Sequence, residues 1–457
     1  MQPLLTAAEM AAADERARAE VGLETLVERA GRAVATEAIG LLGGAYGRRV
    51  VVLAGRGHNG DDGRVAAAWL RRRGAQVLVV PLAEAPAQLP ACDLVVDAAL
   101  GTGFRGTFDA PAAPPGAAVL AVDLPSGVAA DTGEACGRPL RADLTCTLAA
   151  LKPGLVLGEG RALAGRVRLH RIGIDVGTPA QHLVGDEDLA WLPARGLESH
   201  KWQSALYLLA GSPAMAGAAA LAASGAARAG SGMVRVGTPG SLGPAPVAEA
   251  VARPLPAEGF ASDVLAELGR CRVLVAGPGL GTAPATRAEL REVLRGASLP
   301  LVLDADALNL LGTAEEAAEL LAAAGDPARA VLTPHDGEYA RLEGAPPGPD
   351  RLAAARRLAR RTGAVVLVKG STTVVAHPLG EALVVTAGSA RLATAGTGDV
   401  LAGMIGAFVA RGLPPLRAAA LAAHVHGRAA SAGLAEGLVA SDLPALVAAH
   451  LSGRGGG

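Results

Sequence analysis

RVVVLAG (residues 49–55) is a run of β-branched and apolar side chains ending in glycine, and a helical pattern over residues 62–73 follows it. Strand, glycine turn and helix in that order form the first half of a βαβ unit. The alternation continues through QVLVVPL (76–82), DLVVDAAL (93–100), AAVLAVD (117–123) and LTCTLAA (144–150). This half is therefore expected to be α/β, a Rossmann-like parallel sheet flanked by helices. Upstream, Leu23, Leu26, Val27 and Ala30 fall at helical spacing, so the first forty residues are expected to pack as helices ahead of the sheet.

A second series runs through LYLLAGS (206–212), MVRVGTP (233–239), RVLVAGPG (272–279), PLVLDAD (300–306), AVLTPHDGE (330–338) and AVVLVKG (364–370), and ends in helices after Thr397. Between the series, residues 178–201 are polar, carry two prolines and lack a long strand pattern. A boundary is expected near Gly185, giving domains 1–185 and 186–457, each a mainly parallel sheet flanked by helices. A chain of 457 residues exceeds what one hydrophobic core usually supports. The two halves are not copies of each other, so the chain reads as a fusion.

Hydrophobic residues make up 51% of the chain and charged residues 19%, which favours packed cores over disorder. The net charge of −1 and the scattered Lys and Arg leave no basic stripe for nucleic acid. Arg71, Arg72 and Arg73 read as solvated cations near a helix C-terminus. Cys92, Cys136, Cys146 and Cys271 lack CxxC spacing or neighbouring His, as expected of free thiols in a reducing compartment. The first twenty residues turn charged at once, without a secretory pattern, and apolar stretches such as residues 400–410 are shorter than the ~20 residues a bilayer requires. A cytoplasmic protein with no membrane contact is expected.

Chemistry-bearing residues of the first half collect at strand ends. GRGHNGDDG (55–63) places glycines and free backbone N–H groups at a helix start, where either a tight turn or an anion site is expected. Asp97 lies near the end of DLVVDAAL, with GTGFRGT (101–107) behind it, while Asp123 and Ser126 end the next strand. In open parallel sheets these ends line the ligand crevice, so Asn59, Asp97, Asp123 and Ser126 would serve as loop formers or converge on a cation or polar substrate.

Together with LVERAGRAVA (26–35) and DLPSG (123–127), these motifs resemble the NAD(P)H-hydrate epimerases over about residues 4–175. The resemblance implies a potassium ion on Asn59, Asp97 and Ser126. It implies contacts to the hydrated nucleotide from His58, Asn59, Gly60, Asp61 and Asp62, from Gly101, Thr102, Gly103, Phe104, Arg105, Gly106 and Thr107, and from Asp123, the implied acid/base. Asp61 stands where the family has glycine. It adds a Cβ and a charge that are expected to oppose a phosphorylated ligand, with His58 partly compensating.

In the second half, LATAGTGDVLAGMIGAFVARG (392–412) would expose the amides of Gly396, Thr397 and Gly398 at the start of an apolar helix, with Asp399 in its first turn. An anion hole beside a carboxylate suits phosphoryl transfer. GTGD, AGPGLG (276–281), LVLDADALNLL (301–311), LTPHDGEYARL (332–342) and VKGSTT (368–373) resemble the ribokinase-like ADP- or ATP-dependent NAD(P)H-hydrate dehydratases over about residues 196–450. The resemblance implies that Ala218, Gly279 or Gly281, His335 and Asp399 contact the hydrated nucleotide. It implies that Lys369, Gly370, Ser371, Thr372, Thr373 and Gly398 hold ADP, that Mg²⁺ assists, and that Asp399 is the base.

The expected activity is epimerisation of the R and S forms of hydrated NADH or NADPH, and ADP-dependent dehydration of the S form to NAD(P)H, AMP and phosphate, by a homo-oligomer. A ribokinase-like small-molecule kinase with a non-catalytic nucleotide-binding N-terminal domain is the alternative.

Overall fold

The β-branched runs of the first half become a six-stranded, fully parallel sheet, in the order Gln76–Pro81, Arg49–Ala54, Leu94–Ala98, Ala118–Val122, Leu144–Leu148, Arg166–His170. Its central strands are buried along their length, as a sheet covered on both faces requires. The computed structural model describes residues 1–453 apart from Leu242. Helices Ala7–Val21 and Leu23–Leu42 precede the sheet as expected. Thr6 caps the first, its hydroxyl accepting from the Glu9 amide.

The helix after the first strand, His58–Arg72, starts four residues earlier than the sequence pattern suggests. Gly60 lies in its first turn, where a Cβ would collide with the Gly55 carbonyl. The glycine thus lets the helix start close against the strand end.

The second half forms a sheet in the order Ala382–Val385, Thr373–Ala376, Val365–Val368, Ala330–Leu332, Leu301–Leu303, Val273–Ala276, Ala205–Leu209, Met233–Pro239, Ala250–Leu255. From Val365–Val368 to Ala250–Leu255 all neighbours are parallel. Thr373–Ala376 and Ala382–Val385 add an antiparallel hairpin that the alternating pattern does not announce.

Helix Thr397–Ala410 is almost wholly buried and packs on helix Ala216–Arg228 through Gly403, whose Cβ would collide with the Ala222 carbonyl. Close backbone approach gives dense contact without large side chains, and it anchors the turn that opens the helix. The chain divides into two compact units, Gln2–Gln181 and the residues from His182 onward with Met1. Among the described residues no helix is long and apolar enough to cross a membrane.

Candidate active sites

At the C-terminal edge of the first sheet a cavity of about 710 Å³ opens, lined by Asn59, Asp62, Thr102, Asp123 and Lys152 among others. Asp123 follows strand Ala118–Val122 with φ of 65°, a left-handed conformation unusual for a residue with a Cβ. Its Oδ1 accepts from the Leu148 amide (3.0 Å), the Thr147 hydroxyl (3.2 Å) and Lys152 Nζ. Lys152 is 1% exposed and also donates to the Leu148 carbonyl, so its ammonium is fully engaged. Oδ2 of Asp123 takes no hydrogen bond among the described residues, and it remains available to a molecule in the cavity.

Asp97 is buried and accepts from the Ser126 hydroxyl (2.6 Å) and amide (2.9 Å). Burial raises its carboxyl above the usual range, against these hydrogen bonds. Asn59 Nδ2 donates to the carbonyls of Leu100 (2.8 Å) and Val122 (3.1 Å). Ser126 Oγ accepts from the Leu100 amide at 2.8 Å. Asn59 and Ser126 thus meet at the Leu100 main chain, and Asp97 joins them through Ser126.

Asp62 is 7% exposed, and burial, with Asp123, Asp61 and Asp14 nearby, pushes its carboxyl up to about 8. Asp14 is also raised, by burial first and then by Asp123.

Not every expected residue faces the cavity. Asn59, His58, Asp62, Gly101, Thr102, Gly103 and Phe104 line it, whereas Gly60, Asp61, Arg105, Gly106 and Thr107 do not. Asp61 points away, paired with Arg64 at 3.0 Å, and it lies within a helical turn, outside the left-handed region. The backbone at Asp61 thus needs no glycine, while its charge still acts on the cavity-lining Asp62. Lys152 and Asp14, which do line the cavity, come from LKPG and the first helix, segments with no motif of their own.

In the second unit, most site residues follow the C-terminal ends of successive parallel strands, whereas Gly398 and Asp399 follow the antiparallel-paired strand Ala382–Val385. Gly396, at φ 89°, opens helix Thr397–Ala410, with Asp399 in the first turn. Burial, with Asp304 and Asp306 as like charges, raises the Asp399 carboxyl to about 7, and Lys369 offsets part of the rise. Lys369 pairs with Asp304, which also accepts from the Thr333 hydroxyl at 2.7 Å. A Cβ on Gly398 would lie 3.6 Å from Lys369 Nζ and 3.8 Å from Asp304 Oδ2, so the helix start, the lysine and that aspartate meet.

At Gly279, with φ 62°, a Cβ would collide with that of Ala218 at 2.7 Å, and the Gly281 amide donates to Asp306 at 2.8 Å. The expected Ala218 and glycine-loop residues therefore adjoin. His335 caps helix Asp336–Glu343, its Nδ1 accepting from the amides of Gly337 (3.0 Å) and Glu338 (3.3 Å). Its Nε2 lies 3.4 Å from Glu338 Oε1, and about half of the side chain is exposed.

Arg351, absent from the motifs, fixes the loop after Val365–Val368 by donating to the Lys369 carbonyl (2.6 Å) and to Asp336. Thr372 in that loop is buried, and Thr373 begins the next strand. His426 is buried behind Thr397, and burial pushes it down to about 4, so it is neutral.

A family model described as NAD(P)H-hydrate dehydratase matches residues 206–451, and one described as YjeF-related protein N-terminus matches residues 23–91 and 81–154. The bifunctional NAD(P)H-hydrate repair enzyme Nnr of Salinibacter ruber is 37% identical, with the alignment covering 94% of this chain and 91% of that one. The enzyme of the same name from Mycobacterium tuberculosis is 40% identical over 88% of this chain and 86% of its own. A solved ribokinase-like superfamily protein from Enterococcus faecalis shares the fold of the second unit. Its TM-score is 0.54 at 23% identity, over 61% of this chain and 98% of that one. Across both units, the chain belongs to the family of bifunctional NAD(P)H-hydrate repair enzymes.

Proposed function

We infer that the chain repairs hydrated NADH and NADPH, its first unit inverting the hydroxyl-bearing ring carbon and its second removing water at the expense of ADP. One observation carries the dehydratase reading: Asp399, poised near neutrality, sits in the first turn of a helix whose opening Gly398 adjoins Lys369. In this reading Asp399 takes the proton of the ring hydroxyl, which attacks the terminal phosphate of ADP. The amides at the helix start and Lys369 steady the moving phosphoryl group, and elimination of phosphate restores the dihydronicotinamide. Ala218, Gly279, Gly281 and His335 would hold the hydrated ring, and the segment from Lys369 to Thr373 with Gly398 would hold ADP. Asp304, Asp306 and Asp399 oppose three carboxylates to one lysine, a surplus of negative charge that suits Mg²⁺ entering with the nucleotide. Mg²⁺ would supply charge neutralisation for the transferring phosphoryl group.

In the first unit, the anchored Asp123 offers Oδ2 to the hydroxyl of the bound ring as its acid/base. Asn59, Asp97, Ser126 and the Leu100 carbonyl are all oxygen donors with a single formal negative charge, a set that fits K⁺. The Asn59 amide, donating to two main-chain carbonyls, marks a place that favours positive charge. K⁺ there would supply rigidity to the strand ends that carry Asp123 and the GTGF loop. Four free cysteines accord with a cytoplasmic location.

Incubation with ADP and the S hydrate tests the reading. Return of the reduced-nicotinamide absorbance with one AMP and one phosphate per NADH is expected. Accumulation of a stable phosphorylated product would instead establish a kinase.

A further inference from the structure

We propose that Asp62 is a second catalytic carboxyl of the N-terminal site, giving a proton to the hydroxyl of the hydrated ring while Asp123 acts as the base. The proposal rests on the epimerase reading above and assigns the roles within it. Its starting point is a mismatch. Asp62 is 7% exposed and lines the cavity, yet among the described residues it accepts no hydrogen bond and pairs with no cation. A carboxyl so placed is costly unless it carries a proton or meets a ligand.

The surroundings explain why Asp62 and not Asp123 is the acid. On its own helix, Arg64 is tied to Asp61 and to the Gly55 carbonyl, and His58 contacts Arg18. Helix Ala7–Val21 brings Asp14 with Arg18, and helix Leu23–Leu42 shows the cavity only apolar side chains such as Leu26 and Ala30. Arg56 lies in the loop ahead of the helix and also lines the cavity. Lys152 is spent on Asp123 Oδ1. Asp123 therefore has an anchored oxygen and a cation, while Asp62 has neither and faces three other carboxylates, Asp123, Asp61 and Asp14. With its carboxyl raised to about 8, Asp62 holds its proton at neutral pH.

The reaction needs a proton there. Hydration places the hydroxyl on the ring carbon bonded to nitrogen. Asp62 transfers its proton to the hydroxyl oxygen, and the carbon–oxygen bond breaks with both electrons leaving on water. The nitrogen lone pair closes a carbon–nitrogen double bond. Water then adds to the other face of that carbon, the electron pair returns to nitrogen, and the proton of the added water passes to Asp123. Solvent carries one proton from Asp123 back to Asp62, and the balance closes with no other reactant.

The test uses the full chain with the R hydrate of NADPH and no ADP, following R-to-S conversion. Wild-type kcat is expected to fall as pH rises through about 8. Asp62→Asn should lower kcat about a hundredfold with little change in KM and abolish that fall, and Asp62→Glu should restore part of the rate. In ¹⁸O-water, wild type should gain one labelled oxygen per inversion, a readout independent of whether any variant folds. Wild-type kcat in Asp62→Asn, persistence of the alkaline fall in that variant, or inversion with the original oxygen retained would overturn the proposal. A wild-type chain that dehydrates the S form but never inverts the R form would overturn the epimerase reading itself.

Discussion

The two sites share a construction and differ in its tuning. Each has a lysine bound to a strand-end aspartate, Lys152 to Asp123 and Lys369 to Asp304, and each has a second aspartate near the start of a helix opened by glycine, Asp399 in the first turn and Asp62 just past it. In the first unit no cation offsets the like charges around Asp62, and its carboxyl rises to about 8. In the second, Lys369 pulls against Asp304 and Asp306, and Asp399 stops at about 7. On the roles proposed above, similar residues would serve as an acid in one place and a base in the other, burial raising both carboxyls and Lys369 holding Asp399 back.

The largest expected effect breaks one side of the comparison only. Asp399→Asn should lower dehydratase kcat by about a hundredfold or more and leave R-to-S conversion untouched, as separate assays on one preparation would show. Near wild-type dehydration would remove Asp399 from its role as base.

The pH profiles sharpen the contrast. A base must be ionised, so dehydratase kcat should rise about tenfold per pH unit below about 7 and then level off. An acid must be protonated, so epimerase kcat should decline above about 8. Profiles of the same shape in both assays would mean that the two aspartates are not tuned apart.

A smaller effect concerns stability. Asp399 binds its proton more tightly folded than unfolded, so the folded state loses stability as pH rises from the ordinary value of 3.8 to about 7. Asp399→Asn removes that loss. The melting temperature should therefore rise by a few degrees at about pH 8 and by less at about pH 5. An equal gain at both would trace the effect to packing.

The smallest change is expected at Asp61→Gly. Because Asp61 does not line the cavity and its half-exposed charge is paired with Arg64, affinity for the R hydrate should move by less than about twofold. A marked gain in affinity would restore the view that its charge opposes the substrate.

These contrasts also show how far the sequence can be read. The strands were legible because apolar runs ending in glycine have few other uses, and Asp123, Asn59 and Asp399 could be singled out because each sits within a motif at a strand or helix end. The tuning was not legible. Lys152 lies 29 residues from Asp123, Lys369 lies 65 from Asp304, and Asp14 reaches the cavity from the first helix, so only folding brings them together. Asp61 shows the limit of a local argument: the helix begins at His58, so the position needs no glycine and its side chain pairs with Arg64, which the sequence pattern did not announce. The antiparallel hairpin after Lys369 was hidden because buried antiparallel strands have the same apolar pattern as parallel ones.

The central claim is that one chain carries both repair steps, and an equal mixture of R and S hydrates with excess ADP tests it most directly. Wild type should return the full reduced-nicotinamide absorbance during a period in which the hydrates alone do not interconvert, whereas Asp123→Asn should stop at about half. A wild-type reaction that also stops at half would contradict the account, because the first unit would then bind without inverting.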